Sequence, residues 1–249
     1  MFNNININLE EVRPLIKMAL EEDLRDGDIT TDAIVTENKK ATMTFLLKED
    51  GVIAGLPLLY LVTDYLISRV EIACFVKDGQ FLPSGTIVAK ITGPVSLLLK
   101  AERTILNFMQ RLSGIATKTN RYVSILAPYT TKILDTRKTV PGHRLLDKYA
   151  VRIGGGCNHR FGLYDMVMIK DNHIKVIGGI SVALDNIKDL KDKYPFTKIE
   201  IEVKNIDGDE LATKLTDWLK MKLYTKPGCA YLVLCDFGLC FTFTKEGHK

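Results

Sequence analysis

After about residue 111 the chain settles into an alternation that few folds can accommodate. Apolar strand-like runs, TKILDTRK, YAVRIGG, DMVMIKD, TKIEIEVK and AYLVLCD, are separated by helical stretches. Strands that alternate with helices return to the same sheet in parallel, so the pattern predicts a parallel sheet or an α/β barrel. Each run closes in polar residues on its C-terminal side, the edge where such folds carry their chemistry.

The first half reads differently. From Leu9 to Leu24 the apolar residues Leu9, Val12, Leu15, Ile16, Ala19 and Leu20 recur at helical spacing, with Asn8 as N-cap and Pro14 expected in the first turn. The polar stretch EEDLRDGDITTD leads into ATMTFLLKEDGVIAG and VEIACFVKDGQFL, read as short strands with tight turns at Gly51, Gly55, Gly79 and Gly85. Helical periodicity returns in LPLLYLVTDYLI and in VSLLLKAERTILNFMQRLSGIATKTNRYVSIL, the second expected to join two domains. The division expected is 1–110 and 111–249. The closing GLCFTFTKEGHK is apolar for a chain end and reads as a final strand.

Composition narrows the function classes. With 249 residues, 46% of them hydrophobic and 26% charged, the chain can bury a core without disulfides or metals, which excludes a disordered or fibrous protein. Its most apolar stretch, IAGLPLLYLV, is about half the roughly 20 residues of a membrane-spanning helix, and no membrane partner is expected. The N-terminus lacks a basic start followed by an apolar run, so a cytoplasmic location is expected. Five cysteines without CxxC spacing are expected to be free thiols. A net charge of +4 is too small for a nucleic-acid coat, and aromatic–basic stacking platforms are missing, so no nucleic-acid partner is expected.

The charge that matters is clustered. His143, His159 and His173 share one stretch with Arg144, Lys148, Arg152, Arg160 and Lys170, and Arg137 and Lys138 stand just before it. These cations abut strand ends and glycines (DTRK, GGGCNHR, MIKDNH), so they are expected to converge at the carboxyl edge of the sheet on an anionic ligand. Gly154, Gly155 and Gly156 allow close approach of backbone to a ligand or neighbouring strand, and the planar fork of Arg160 suits carboxylate or phosphate. Neither GxxxxGK[ST] nor GxGxxG occurs, so common nucleotide folds lose support. In KIEIEVK, Glu200 and Glu202 share a face, roughly 6–7 Å apart along the strand. Beside a basic cluster they suggest magnesium, which is held by one or two carboxylates together with substrate phosphates.

Taken together, the segments ILDTRKTVPGHRLLDKYAVRIGGGCNHRFGLYDMVMIKDNHI, AERTILNFMQRLSGIAT and EDLRDGDITTDAIV resemble the quinolinate phosphoribosyltransferase family. The resemblance implies an N-terminal α/β sandwich followed by an atypical, open and here incomplete α/β barrel, assembled as a homodimer or a hexamer of dimers. It implies a pentosyl transfer joining quinolinate to phosphoribosyl pyrophosphate, with magnesium. Thr136, Arg137, Lys138, His159, Arg160 and Lys170 would line the pocket, and Arg103 would reach the neighbouring subunit's site. Lys138, Lys170 and Glu202 would serve catalysis, Glu202 near the ribose and its metal, with Asp236 as the second acidic metal partner. After EVKN the chain departs from the family pattern, and the glycine-rich turns expected around the ribose 5′-phosphate do not follow Asp236. An alternative reading is therefore a shortened, non-catalytic member that binds an anionic metabolite or a full-length partner.

Overall fold

The computed structural model describes residues 7–35, 39–66, 70–129, 132–194, 198–201, 231–235 and 238–242. The chain is a mixed α/β protein that divides into two compact units, residues 1–158 with 232–240, and residues 159–231 with 241–249.

In the first unit, helix α1 (Leu9–Leu24) buries Val12, Ile16 and Leu20, and the Asn8 side chain accepts the Glu10 N–H at 3.2 Å, as the spacing predicts. Pro14 lies deeper than the expected first turn, inside the helix. It is tolerated because it faces solvent, where the carbonyl it leaves unbonded can be hydrated. Part of the polar stretch after α1 also folds, as α2 (Ile29–Ile34), because Asp28 caps it: its carboxylate accepts the Thr31 N–H at 3.0 Å.

Strands β1 (Lys40–Leu46), β3 (Glu71–Cys74) and β5 (Ile87–Pro94) form an antiparallel sheet with β5 in the middle. Strands β2 (Gly51–Val52) and β4 (Phe81–Leu82) make a separate antiparallel pair. Helix α3 (Leu56–Leu66) and the 31-residue α4 (Val95–Ile125) pack their apolar faces into one core with α1, β1, β5 and part of α5 (Arg144–Ile153). The expected division at 110/111 falls inside α4, which is continuous there.

Beyond α4, β6 (Lys132–Leu134) buries Ile133 and forms a sheet in the order β10 (Gly238–Thr242), β9 (Tyr231–Cys235), β6. The expected strands at TKIL, AYLVLC and GLCFT are thus present. YAVRIGG is not a strand: Tyr149 to Ile153 complete α5, and Gly154 is its C-cap. The fragment misleads because it begins in mid-helix: read from Arg144, the apolar residues Leu145, Leu146, Tyr149, Ala150 and Ile153 recur at helical spacing, which Val151 and Ile153, both β-branched, mask when YAVRI is taken alone.

In the second unit, β7 (Met166–Ile169) and β8 (Lys198–Ile201) pair in parallel, with Ile169 opposite Ile201. The connection runs through α6 (Asp171–Ile177) and α7 (Ile180–Lys193), the crossover that a parallel pair requires. Among the described residues no helix is long and apolar enough to cross a membrane.

Candidate functional site

The first unit presents its cations at the carboxyl end of β6. Buried Ile133 anchors the strand, and the chain then emerges as Thr136, Arg137 and Lys138. The Thr136 hydroxyl accepts the Lys138 N–H at 2.9 Å, which tightens this turn and leaves the Lys138 side chain exposed. Arg137 is half-buried, and its Nε is shut from water without a hydrogen-bond partner among the described residues. His143, which precedes α5, stacks on Phe108 at 5.8 Å between centroids, and its Nδ1 is likewise buried and unpartnered among the described residues. Arg103 is exposed on α4.

Behind this edge sits a buried polar cluster that sequence reasoning missed. Lys148 on α5 is 0% exposed and forms an ion pair with Asp135, itself 5% exposed and directly before Thr136. In the amide orientation that satisfies its neighbours, Asn158 donates to Asp135 Oδ2 at 2.9 Å and to the Lys148 carbonyl at 2.9 Å. The backbone aligns the same segments: Asp135 N–H donates to the Cys157 carbonyl at 3.1 Å, and Cys157 N–H to the Ile133 carbonyl at 2.8 Å. The only available signal was the position of Asp135 and Asn158, each directly before a cationic string.

The basic cluster read from the sequence is therefore of two kinds. Arg144, Lys148 and Arg152 lie on helix α5, contrary to the expected strand ends, and Lys148 is a structural cation rather than one for a ligand. Asp147 on the same helix takes Arg111 in a two-pronged pair at 2.9 and 2.7 Å. Tyr149 donates to Asp78 Oδ2 at 2.5 Å, and Asp78 also accepts the N–H groups of Gly55 and Leu56 at the start of α3. Burial pushes the Asp78 carboxyl above its ordinary 3.8, with these hydrogen bonds acting against it. Burial and the neighbouring carboxylate push the Tyr149 phenol well above its ordinary 10.

The glycine run also has a structural explanation. A Cβ on Gly154 would overlap the Ala116 carbonyl oxygen and approach the Thr119 Cβ to 2.7 Å, and one on Gly156 would come within 2.8 Å of Val151. Gly155 holds φ +91°. The run lets the end of α5 close against α4, so the close approach seen here is to a helix.

In the second unit, half-buried His159 and Arg160 open the segment, and Arg160 Nη1 donates to the Met166 carbonyl at 3.3 Å. Asp165 accepts the N–H groups of Phe161 and Gly162 at 2.8 and 2.9 Å, closing the turn before β7. Lys170 follows β7 directly, and its N–H donates to His173 Nδ1 at 3.0 Å, which fixes the start of α6. Glu202 and Asp236 lie outside the described residues. Among the described residues no group of three or more His, Cys, Asp or Glu is gathered to hold a metal.

Comparison with known proteins bears on the same segments. The family description "Quinolinate phosphoribosyl transferase, N-terminal domain" matches residues 28–113, and its C-terminal counterpart matches residues 115–217. The chain is 42% identical over 199 residues to a nicotinate-nucleotide pyrophosphorylase [carboxylating] of Arabidopsis thaliana, covering 79% of this chain and 57% of that one. It is 40% identical over 196 residues to a probable nicotinate-nucleotide pyrophosphorylase of Synechocystis, covering 79% and 65%. The chain thus spans about half the length of the curated plant relatives it matches. Among solved structures, the nicotinate-nucleotide pyrophosphorylase of Francisella tularensis aligns with a TM-score of 0.77 at 39% identity, over 87% of this chain and 74% of that one. NadC from Streptococcus pyogenes aligns with a TM-score of 0.78 at 30% identity, over 96% and 100%. On the matched domains, the ordered motifs and the shared fold, the chain belongs to the quinolinate phosphoribosyltransferase family.

Proposed function

We propose that this chain is a quinolinate phosphoribosyltransferase, a pentosyltransferase that converts quinolinate and phosphoribosyl pyrophosphate into nicotinate mononucleotide, carbon dioxide and pyrophosphate for NAD synthesis. The observation that carries the reading is Arg137, whose Nε is buried without an acceptor among the described residues, next to exposed Lys138. A buried donor left unpaired costs roughly 1–3 kcal/mol, and more when charged. An anionic ligand offsets that cost, and quinolinate brings two adjacent carboxylates that repel each other until cations neutralise them.

Arg137, His159, Arg160 and Lys170 bind the two carboxylates, with Thr136 shaping the turn and Lys138 meeting the phosphates of the sugar donor. The pyridine nitrogen attacks C1 of the ribose as the bond to pyrophosphate breaks, and Glu202 stabilises the positive charge that develops on the sugar. The alkylated, cationic ring then accepts the electron pair of the carbon–carboxylate bond as carbon dioxide leaves, and a proton replaces it. The chain's main contribution is to position the reactants and exclude water, so no covalent nucleophile is needed. Lys138, Lys170 and Glu202 are the proposed catalytic residues. Glu202 and Asp236 would hold magnesium, which would supply charge neutralisation for the pyrophosphate group.

The family's sandwich and incomplete barrel are proposed for the two halves. Supporting them are the antiparallel sheet packed with α1, α3 and α4, and the parallel β7–β8 pair with its helical crossover. The division near 110/111 is supported by family matches that end at 113 and begin at 115. Exposed Arg103 is available to a second subunit, which supports a dimer or a hexamer of dimers. Free thiols at Cys74 and Cys157 suit a reducing compartment such as the cytoplasm.

The test is to incubate the purified chain with quinolinate, phosphoribosyl pyrophosphate and magnesium and to follow nicotinate mononucleotide. Product that disappears in Lys138→Ala is expected. No product beside an active control enzyme removes the catalytic claim and leaves the non-catalytic binding alternative.

A further inference from the structure

We propose that the buried Asp135–Lys148–Asn158 cluster is a positioning device for the site's cationic segments; the inference rests on the phosphoribosyltransferase reading. A wholly buried ion pair is a poor means of gaining stability, because the penalty of taking two charges out of water can exceed their attraction. Packed apolar side chains of similar volume would hold α5 against β6 at least as well. What the polar cluster adds is direction, since its hydrogen bonds form only at particular angles, whereas apolar surfaces can slide.

The bonds are placed where direction matters. Asp135 directly precedes Thr136, Arg137 and Lys138, and Asn158 directly precedes His159 and Arg160. The two oxygens of Asp135 are divided, one to the Lys148 ammonium and the other to Asn158. Asn158 in turn reaches the Lys148 carbonyl, so one side chain ties both segments to α5. Backbone bonds among Ile133, Asp135 and Cys157 set the register of the same two segments from the other side. Rotation of either segment breaks at least one bond of the cluster.

Charge gives the second reason. The Asp135 carboxylate lies one residue from the cationic string and would compete with an anionic substrate for it. Lys148 neutralises that carboxylate from behind, so the positive charge of Arg137 and Lys138 stays directed toward a ligand.

Three variants of the full chain test the proposal: Lys148→Met, the double variant Asp135→Leu/Lys148→Met, and Asn158→Ala. Lys148→Met strands a buried carboxylate and is expected to melt cooperatively at a markedly lower temperature. The double variant replaces the pair by apolar volume, and Asn158→Ala keeps the ion pair but loses the tie. Both are expected to melt cooperatively, Asn158→Ala at a lower temperature because Asp135 Oδ2 loses its donor, while the KM for quinolinate rises tenfold or more. In both, the amides of Arg137, Lys138 and His159 are expected to exchange hydrogen at least tenfold faster, with the α1–α4 core unchanged. Folded variants with unchanged exchange and unchanged KM overturn the proposal; should the double variant not fold, Asn158→Ala alone decides it by the same readouts. Faster exchange in a chain whose wild type makes no product would remove the enzymatic reading and leave the positioning device standing.

Discussion

The turn after β6 and the helix α5 stand close in the sequence and are rich in the same cations, yet they spend them in opposite ways. Lys138 in the turn is exposed, while Lys148 in the helix is sealed in the core and neutralised by Asp135. Burial decides the difference: a cation with no water must bring its counter-ion with it, whereas one at a strand end keeps its charge available. A cluster of basic residues in a sequence is thus a mixture of exposed charges and buried, paired ones, and here the pairing with Asp135 sets Lys148 apart from Lys138.

The comparison can be broken first by removing each lysine in turn. Lys148→Ala leaves the Asp135 carboxylate buried and uncompensated and should destabilise the chain by about 3–5 kcal/mol, while Lys138→Ala should change stability by no more than about 0.5 kcal/mol. Denaturant titration of both variants checks this, and equal losses would show that both lysines are structural.

A smaller effect sharpens the structural side of the comparison. Tyr149 has its folded-state pKa raised above the unfolded value of 10, so its contribution is complete below pH 10 and is lost as pH rises beyond it. Above pH 10 the unfolding free energy of the wild type should fall relative to that of Tyr149→Phe by up to about 1.4 kcal/mol per pH unit. Below pH 9 the variant should be less stable by about 1–3 kcal/mol, since Asp78 loses a donor. Denaturation at pH 8, 10 and 11 gives both numbers; parallel pH profiles would contradict the assignment.

Much of the local structure was legible in the sequence. The α1 boundaries, the Asn8 cap, α3, α4 and the strands β6 to β10 follow from period and punctuation. Strand β5 escaped because Lys90 and Thr92 alternate with residues as small as Ala89 and Gly93, which weakens its apolar pattern. YAVRIGG reads as a strand only when cut from its helix: the period of α5 shows from Arg144 onward, and the fragment holds little more than one turn of it. Of the site, the strings at Thr136–Lys138 and His159–Arg160 were legible as motifs. The cluster behind them was not, because Lys148 meets Asp135 only through the tertiary packing of α5 on β6, and a charged letter reads the same buried or exposed.

Arg137 is proposed to hold its buried donor in readiness for a doubly acidic ligand, and calorimetric titration of the chain with quinolinate tests that role most directly. The wild type should give saturable binding, and Arg137→Ala should weaken it by roughly 1.5–3 kcal/mol, the worth of a charge-assisted hydrogen bond, without lowering the melting transition of the free chain. Binding of equal strength in both proteins, or none in the wild type, would contradict the account.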